Sequence, residues 1–149
     1  MLQQDRLIPL LRELRREFWH VEVETNVTIE PSDEFIKLIN QFNCSPKLAN
    51  AGPDCPLDKR MNSKALNKLA HCGIATFKFV VTCWNDLIEL RGIISSFDID
   101  PDSVWLMAEG RTREEQEANQ RYANLMANSN GWHFSPRLHV LEHGDVRAV

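Results

Sequence analysis

Amphipathic helical patterns and short β-branched runs take turns along this 149-residue chain, and that alternation restricts the fold more than any other property. Leu7, Ile8, Leu10, Leu11, Leu14 and Phe18 recur at helical spacing opposite Arg12, Glu13, Arg15, Arg16 and Glu17, which predicts a helix from Asp5 to Phe18 with Pro9 near its first turn. His20 to Thr25 alternates and predicts a strand. Pro31-Ser32-Asp33 opens a short helix carrying Phe35, Ile36, Leu38 and Ile39, and Gln41 to Ser45 is a strand stopped by Pro46. The Pro- and Gly-bearing stretch from Pro46 to Arg60 is a long loop. Ser63 caps a helix through Leu66, Leu69 and Ala70 that ends at Gly73, and Thr76 to Thr82 is the clearest strand, interrupted by Lys78. A helix over Asn85–Phe97, a strand over Val104–Met107, a Thr112-x-x-Glu115 capping box opening a helix closed by Gly131, and a strand over Arg137–Leu141 complete the reading. Five helices alternating with five strands predict an α/β fold with a parallel sheet and crossover helices. The pattern opens on a helix with no strand before it, as in the back part of a larger α/β barrel.

Length and composition set the chain among ordinary globular domains: 43% hydrophobic and 26% charged residues over 149 positions predict a single domain, 1–149, with a core that needs no covalent staple. No apolar run reaches the roughly 20 residues of a membrane helix, and Gln3, Gln4, Asp5 and Arg6 break any apolar leader, so the expected compartment is the cytoplasm and no membrane partner is expected. A net charge of -4 lacks the basic footprint that a nucleic-acid backbone attracts, so no direct nucleic-acid partner is expected. Cys44, Cys55, Cys72 and Cys83 are spaced too evenly for a zinc knuckle or an iron–sulfur motif. Cys44, Cys72 and Cys83 read as small buried hydrophobes and Cys55, in the Pro-rich loop, as the exposed thiol. Trp19, Trp84, Trp105 and Trp132 read as core or rim packing, His20 and His71 as surface or capping residues.

Ligands of parallel α/β folds gather at the carboxyl ends of the strands. The residues just after each predicted strand are Glu24, Thr25 and Asn26, then Ser45, Pro46 and Lys47, then Thr82, then Glu109 and Arg111, then His143 to Val149. Their carboxylate, amide, hydroxyl and ammonium groups suit a polar, zwitterionic small molecule. His139-Val140-Leu141-Glu142-His143 matches H-x-x-E-H, a zinc-hydrolase signature that requires a helix and a third ligand. The alternation of Leu138 to Leu141 after Pro136 predicts a strand there, which sets the zinc reading third.

Val23-Glu24-Thr25-Asn26, Asn43-Cys44-Ser45-Pro46-Lys47, Phe77-Lys78-Phe79-Val80-Val81, Val104 to Thr112 and Pro136 to Leu141 resemble, in order and over essentially the whole chain, consecutive segments of the 7-carboxy-7-deazaguanine synthase family of the radical S-adenosylmethionine superfamily. The resemblance implies a partial (β/α) barrel lacking the first strands. It implies conversion of 6-carboxytetrahydropterin to 7-carboxy-7-deazaguanine with loss of ammonia, in queuosine precursor synthesis. The implied cofactors are S-adenosylmethionine, a four-iron four-sulfur cluster and magnesium. By similarity Glu24, Thr25, Asn26, Ser45 and Lys47 would contact S-adenosylmethionine, and Arg147 with Val149 in the tail would approach the pterin substrate. The chain would associate as a homodimer.

The chain departs from the family in specific places. Its C-x-x-x-C-x-x-C cluster motif and its G-G-E-P segment are absent, and Met1-Leu2-Gln3 resembles the residues just after G-G-E-P. Val27 stands where the pattern E-T-N-G-T has glycine, a position at which positive φ is expected. Ala108 replaces a usual proline, and the tail keeps only Gly144, Arg147 and Val149 of an I-W-G-N-K-R-G-V type ending. Two readings result: a C-terminal portion of the synthase, inactive by itself because the cluster ligands are missing, or a non-catalytic remnant or interaction module of the same fold.

Overall fold

The structure, a computed structural model, describes residues 3–144. The elements in chain order are α1 (Gln4–Arg16), β1 (Glu22–Thr25), α2 (Asp33–Leu38), β2 (Gln41–Cys44), α3 (Leu57–Arg60), α4 (Ser63–Ala70), β3 (Ala75–Val81), α5 (Asp86–Ser96), β4 (Val104–Ala108), α6 (Arg113–Asn130), β5 (His133–Phe134) and α7 (Leu138–His143). All neighbouring strands pair parallel, in the sheet order β1-β2-β3-β4-β5. The register sets Val23 beside Phe42, Cys44 beside Phe77, Phe77 beside Val104 and Trp105 beside His133.

One sheet face is the core. Phe42, Cys44, Phe77, Phe79, Val81, Val104, Leu106 and Ala108 alternate along their strands and are buried with Leu66, Leu69, Leu90, Ala123 and Met126 from the helices. Phe35 of α2 meets Phe42 with ring centroids 6.2 Å apart. The opposite face is half-buried and largely polar: Gln41, Asn43, Thr76, Lys78, Val80, Trp105 and Met107. Across it the Gln41 amide donates to Thr76 Oγ1 at 2.7 Å, the Asn43 amide donates to Glu22 Oε2 at 2.8 Å, and Trp105 stacks on His133 at 4.6 Å. Parallel sheets usually bury both faces, so this uncovered side is where a ligand can lie.

Local chemistry explains most element ends. Ser32 accepts from the Phe35 amide and caps α2, and Thr112 with Glu115 closes a complete capping box on α6, which ends at Gly131 in the left-handed region. α1 stops where Phe18 turns left-handed at φ 60. Pro9 lies inside α1, one residue further from the start of the helix than the sequence placed it, because α1 begins at Gln4 rather than Asp5. Asn62, rather than Ser63, caps α4 by accepting from the Lys64 and Ala65 amides.

Several expectations are corrected. Residues 137–141 do not form a strand: β5 is His133–Phe134, and Leu138–His143 is helical. Ser135 makes the last amide bond to Leu106, Pro136 has no N–H to continue the ladder, and the chain turns into α7, burying Val140 while Leu138 points outward. The 46–60 stretch holds a 3₁₀ turn at Ala49–Ala51 and the helix α3. Cys83, not Cys55, is the exposed thiol, whereas burial pushes the Cys44 thiol up to about 12. Trp19 and Trp84 are 62% and 52% exposed instead of packed, since each sits in a connection outside the sheet. Among the described residues, no helix is long and apolar enough to cross a membrane.

Candidate functional site at the carboxyl ends of the strands

The first three strands end in a common rim. Ser45 N–H donates to the Thr25 carbonyl at 2.7 Å, extending the β1–β2 ladder by one bond and holding the two strand ends side by side. Beyond β1 the chain turns sharply: the Val27 amide donates to Thr25 Oγ1 at 3.0 Å, and Asn26 Oδ1 accepts from the amide and hydroxyl of Thr28 at 3.3 and 2.7 Å. Val27 itself sits at φ 63 with its side chain buried. A β-branched residue rarely adopts that region, and it stands at the place where the sequence pattern expected glycine.

A cavity of about 620 Å³ opens against this rim, lined by Glu24, Thr25, Asn26, Asn43, Ser45, Lys47, Lys78, Val80, Met107 and Arg137. Its size falls within the usual range of small-molecule sites, roughly 300–1,000 Å³. Three cationic side chains, Lys47, Lys78 and Arg137, share it with one carboxylate, Glu24. The Lys78 charge, after hydrogen bonds from Asn43 and His20, helps hold the neighbouring Glu22 carboxyl below its usual range. The cavity therefore favours a ligand with a net negative or zwitterionic polar end and an apolar part to rest on Val80 and Met107.

The far wall is Met107 and Arg137, and α6 supports it from behind through the loop after β4. Gln116, buried under the loop after β4, donates to the carbonyls of Ala108 and Gly110 at 3.0 and 3.1 Å. Arg137 Nη1 donates to the same Gly110 carbonyl at 2.9 Å, which fixes the guanidinium beside the cavity. Gly110 has φ 152, and a Cβ there would stand 2.8 Å from the Gln116 side chain and 3.0 Å from its amide nitrogen. Only glycine allows this approach.

The strand-end residues named from sequence divide three ways. Glu24, Thr25, Asn26, Ser45 and Lys47 all line the one cavity. Thr82, Glu109 and Arg111 do not: Thr82 is turned to Asp86, while the Glu109 carbonyl accepts from Asn119 and the Arg111 amide donates to Glu115. Arg147 and Val149 lie outside the described residues. Sequence reasoning missed Asn43, Lys78 and Arg137 as cavity residues. Lys78 carried a signal, a lone charge in an apolar strand, while Arg137 was hidden by its assignment to a strand.

Residues 138–143 are helical rather than extended, which corrects the strand expected at H-x-x-E-H, and the side chains of His139 and His143 lie outside the described residues. No group of three His, Cys, Asp or Glu side chains able to hold a metal ion comes together among the described residues, and a catalytic zinc needs three protein ligands. The same geometry bears on a four-iron four-sulfur cluster: three cysteine thiolates on one loop are required, and the chain's cysteines lie on separate segments. The residues present do not fit the cluster. They do fit S-adenosylmethionine, whose ammonium, carboxylate and ribose hydroxyls match the carboxylate, ammonium, amide and hydroxyl groups of the rim.

The fold is of the α/β class, a five-stranded parallel sheet flanked by helices, and its polar cavity lies at the carboxyl ends of the strands, where ligands of such folds gather. In sequence the chain is related to proteins named 7-carboxy-7-deazaguanine synthase. That of Pyrobaculum aerophilum is 31% identical over 127 residues, 85% of this chain and 54% of the relative. Those of Halobacterium salinarum and Rhodopirellula baltica are 30% and 26% identical over 93% and 96% of this chain, and 60% and 58% of their own lengths. The chain thus spans a little over half the length of the curated relatives it matches, consistent with a C-terminal portion. No protein-family model matches the chain.

Proposed function

We propose that this chain is the substrate- and S-adenosylmethionine-binding portion of a 7-carboxy-7-deazaguanine synthase, folded as part of a (β/α) barrel of the radical S-adenosylmethionine type. The whole enzyme would convert 6-carboxytetrahydropterin to 7-carboxy-7-deazaguanine with loss of ammonia, in the cytoplasm and as a homodimer. The observation that carries this reading is the convergence of Glu24, Thr25, Asn26, Ser45 and Lys47 on one cavity.

In this reading the residues of this chain would hold and orient S-adenosylmethionine, which would supply the radical chemistry of the whole enzyme. Glu24 accepts hydrogen bonds from the ribose or amino group, Asn26 and Ser45 add neutral contacts, and Lys47 pairs with the carboxylate. Val80 and Met107 support the flat part of a ligand, while Lys78 and Arg137 supply positive charge toward the substrate. Arg147 and Val149 are assigned to the pterin by resemblance alone. Magnesium and the cluster belong to the whole enzyme, and what is open to these residues is binding and orientation.

The test is titration calorimetry of the purified chain with S-adenosylmethionine, beside anaerobic reconstitution with iron and sulfide. Binding that weakens about tenfold in Lys47→Met and in Glu24→Gln, without a stoichiometric cluster, supports the proposal. A cluster held by this chain alone would overturn its inactivity. A second reading, a non-catalytic module of the same fold, is favoured by the scattered cysteines. It gains ground when addition of a cysteine-bearing N-terminal portion from a relative restores no turnover although the chain binds both ligands.

A further inference from the structure

Asp86 is a buried carboxylate that the binding scheme above leaves without a task. It opens α5, directly behind the carboxyl end of β3. One of its oxygens, Oδ2, accepts four hydrogen bonds: from the Thr82 amide at 2.6 Å, the Thr82 hydroxyl at 2.9 Å, the Cys83 amide at 3.2 Å and the Asn50 side-chain amide at 2.8 Å. Burial raises its pKa, and these donors together outweigh that and hold the carboxyl below its usual range.

Three of the four bonds close the local turn after β3. The fourth reaches across the sheet. Asn50 belongs to the segment that leaves β2 through the cavity residues Ser45 and Lys47, and its amide also donates to the carbonyl of Val80, itself on the cavity wall, at 3.0 Å. One turn along α5, Glu89 accepts from the Ala49 amide at 2.8 Å and pairs with Arg60 at 2.9 Å. Leu48 beneath this segment is buried. The first turns of α5 therefore grip the 46–60 loop at both its ends, and the grip nearer the cavity runs through Asp86 on Asn50 beside Glu89 on Ala49.

A buried charge is costly to desolvate, and an apolar residue of similar volume is often at least as stabilising. What a leucine at 86 could not do is hold Asn50 over Val80. We propose that Asp86 is a positioning residue for the cavity: through Asn50 it clamps the end of the 46–60 loop to the carboxyl end of β3 and so fixes Lys47 relative to the Lys78–Val80 wall. The ligand used to test this rests on the function proposed above; the clamp itself does not.

Asp86→Ala, Asp86→Asn, Asn50→Ala and Lys47→Met are compared with the unaltered chain by hydrogen exchange and by S-adenosylmethionine calorimetry, at a temperature at which circular dichroism shows each folded. In Asp86→Ala and Asn50→Ala, exchange at the amides of Ala51 and Gly52 is expected to rise about tenfold or more while the β3 and β4 amides keep their protection. Affinity is expected to fall about tenfold in both variants, and Asp86→Asn, whose oxygen can take the same donors, restores both readings. In a Lys47→Met background Asp86→Ala should cost no further affinity, because the two act through one contact. Exchange that rises equally across the sheet, or an affinity loss that persists in full without Lys47, would mean Asp86 is merely structural and overturns the proposal. If the unaltered chain binds no S-adenosylmethionine, the ligand assignment falls, and the exchange pattern decides the clamp by itself.

Discussion

Replacing Val27 tests whether the turn beside the cavity holds strain. Val27 lies at φ 63 and is 1% exposed, so two large effects oppose each other at one residue. The left-handed conformation costs an L-residue about 1–2 kcal/mol that glycine does not incur. Burial of three side-chain carbons contributes about 2.4 kcal/mol at about 0.8 kcal/mol per carbon. Val27→Gly relieves the first and loses the second, along with about 0.5–1 kcal/mol of backbone entropy, and is expected to destabilise by about 1–2 kcal/mol. Val27→Ala loses two carbons, about 1.6 kcal/mol, and keeps most of the strain. At an unstrained buried site glycine would lie below alanine by about 1.5 kcal/mol, from one carbon and the entropy together. Here strain relief should bring the two variants within about 0.7 kcal/mol of each other. Urea unfolding with linear extrapolation measures this directly, provided the m-values agree. A glycine variant lying the full unstrained gap below alanine would refute the strain argument and leave the positive φ without energetic meaning.

Gly110→Ala should destabilise by about 1–3 kcal/mol, because its Cβ meets Gln116 at 2.8 Å in a site walled by backbone; a urea midpoint unchanged from the parent would contradict this. Arg60 is 8% exposed with Nε and Nη1 unpartnered among the described residues, so removing its counter-charge in Glu89→Ala should cost about 3 kcal/mol. Arg60→Met should cost less than about 1 kcal/mol; the reverse order in thermal or urea unfolding would refute the desolvation argument. For Asp86 the folded carboxyl lies below its unfolded value, so the unfolded state binds more protons between the two. Its stabilisation is present above about pH 4 and is lost as pH falls through the folded value. The acid limb of stability against pH should accordingly be shallower in Asp86→Asn, and superimposable acid limbs would show that the buried bonds do not favour the charged form.

Local chemistry was legible in the sequence where a few neighbouring residues decide the outcome. The Thr112–Glu115 capping box, the Ser32 cap and the Gly131 stop each act within one turn, and each is where the residues place it. The last strand was not legible: five residues from Arg137 to Leu141 suit either period, and the true β5 is two residues long, registered only by its pairing to Trp105 and Leu106. Among the cavity-lining residues, Glu24, Thr25, Asn26, Ser45 and Lys47 could be found because strand ends converge in any parallel sheet. Asn50 and Asp86 could not, since 36 positions separate them and only the folded sheet brings them to 2.8 Å. Cys83 and Trp84 were misjudged for a related reason: next to a strand they look buried, yet the turn that serves Asp86 faces them outward.

The order of the strands carries a consequence for how the molecule is made. Each strand lies beside the one synthesised just before it, so none has to be threaded between two already paired. Closure of each new pair spans a single crossover, which keeps the search short at every stage. A chain leaving the ribosome can add β3 to β1–β2, then β4, then β5, and every intermediate presents one growing edge. Protection from protease should appear in that sequence on nascent chains of increasing length, with the Asn50–Asp86 contact forming only once α5 has emerged.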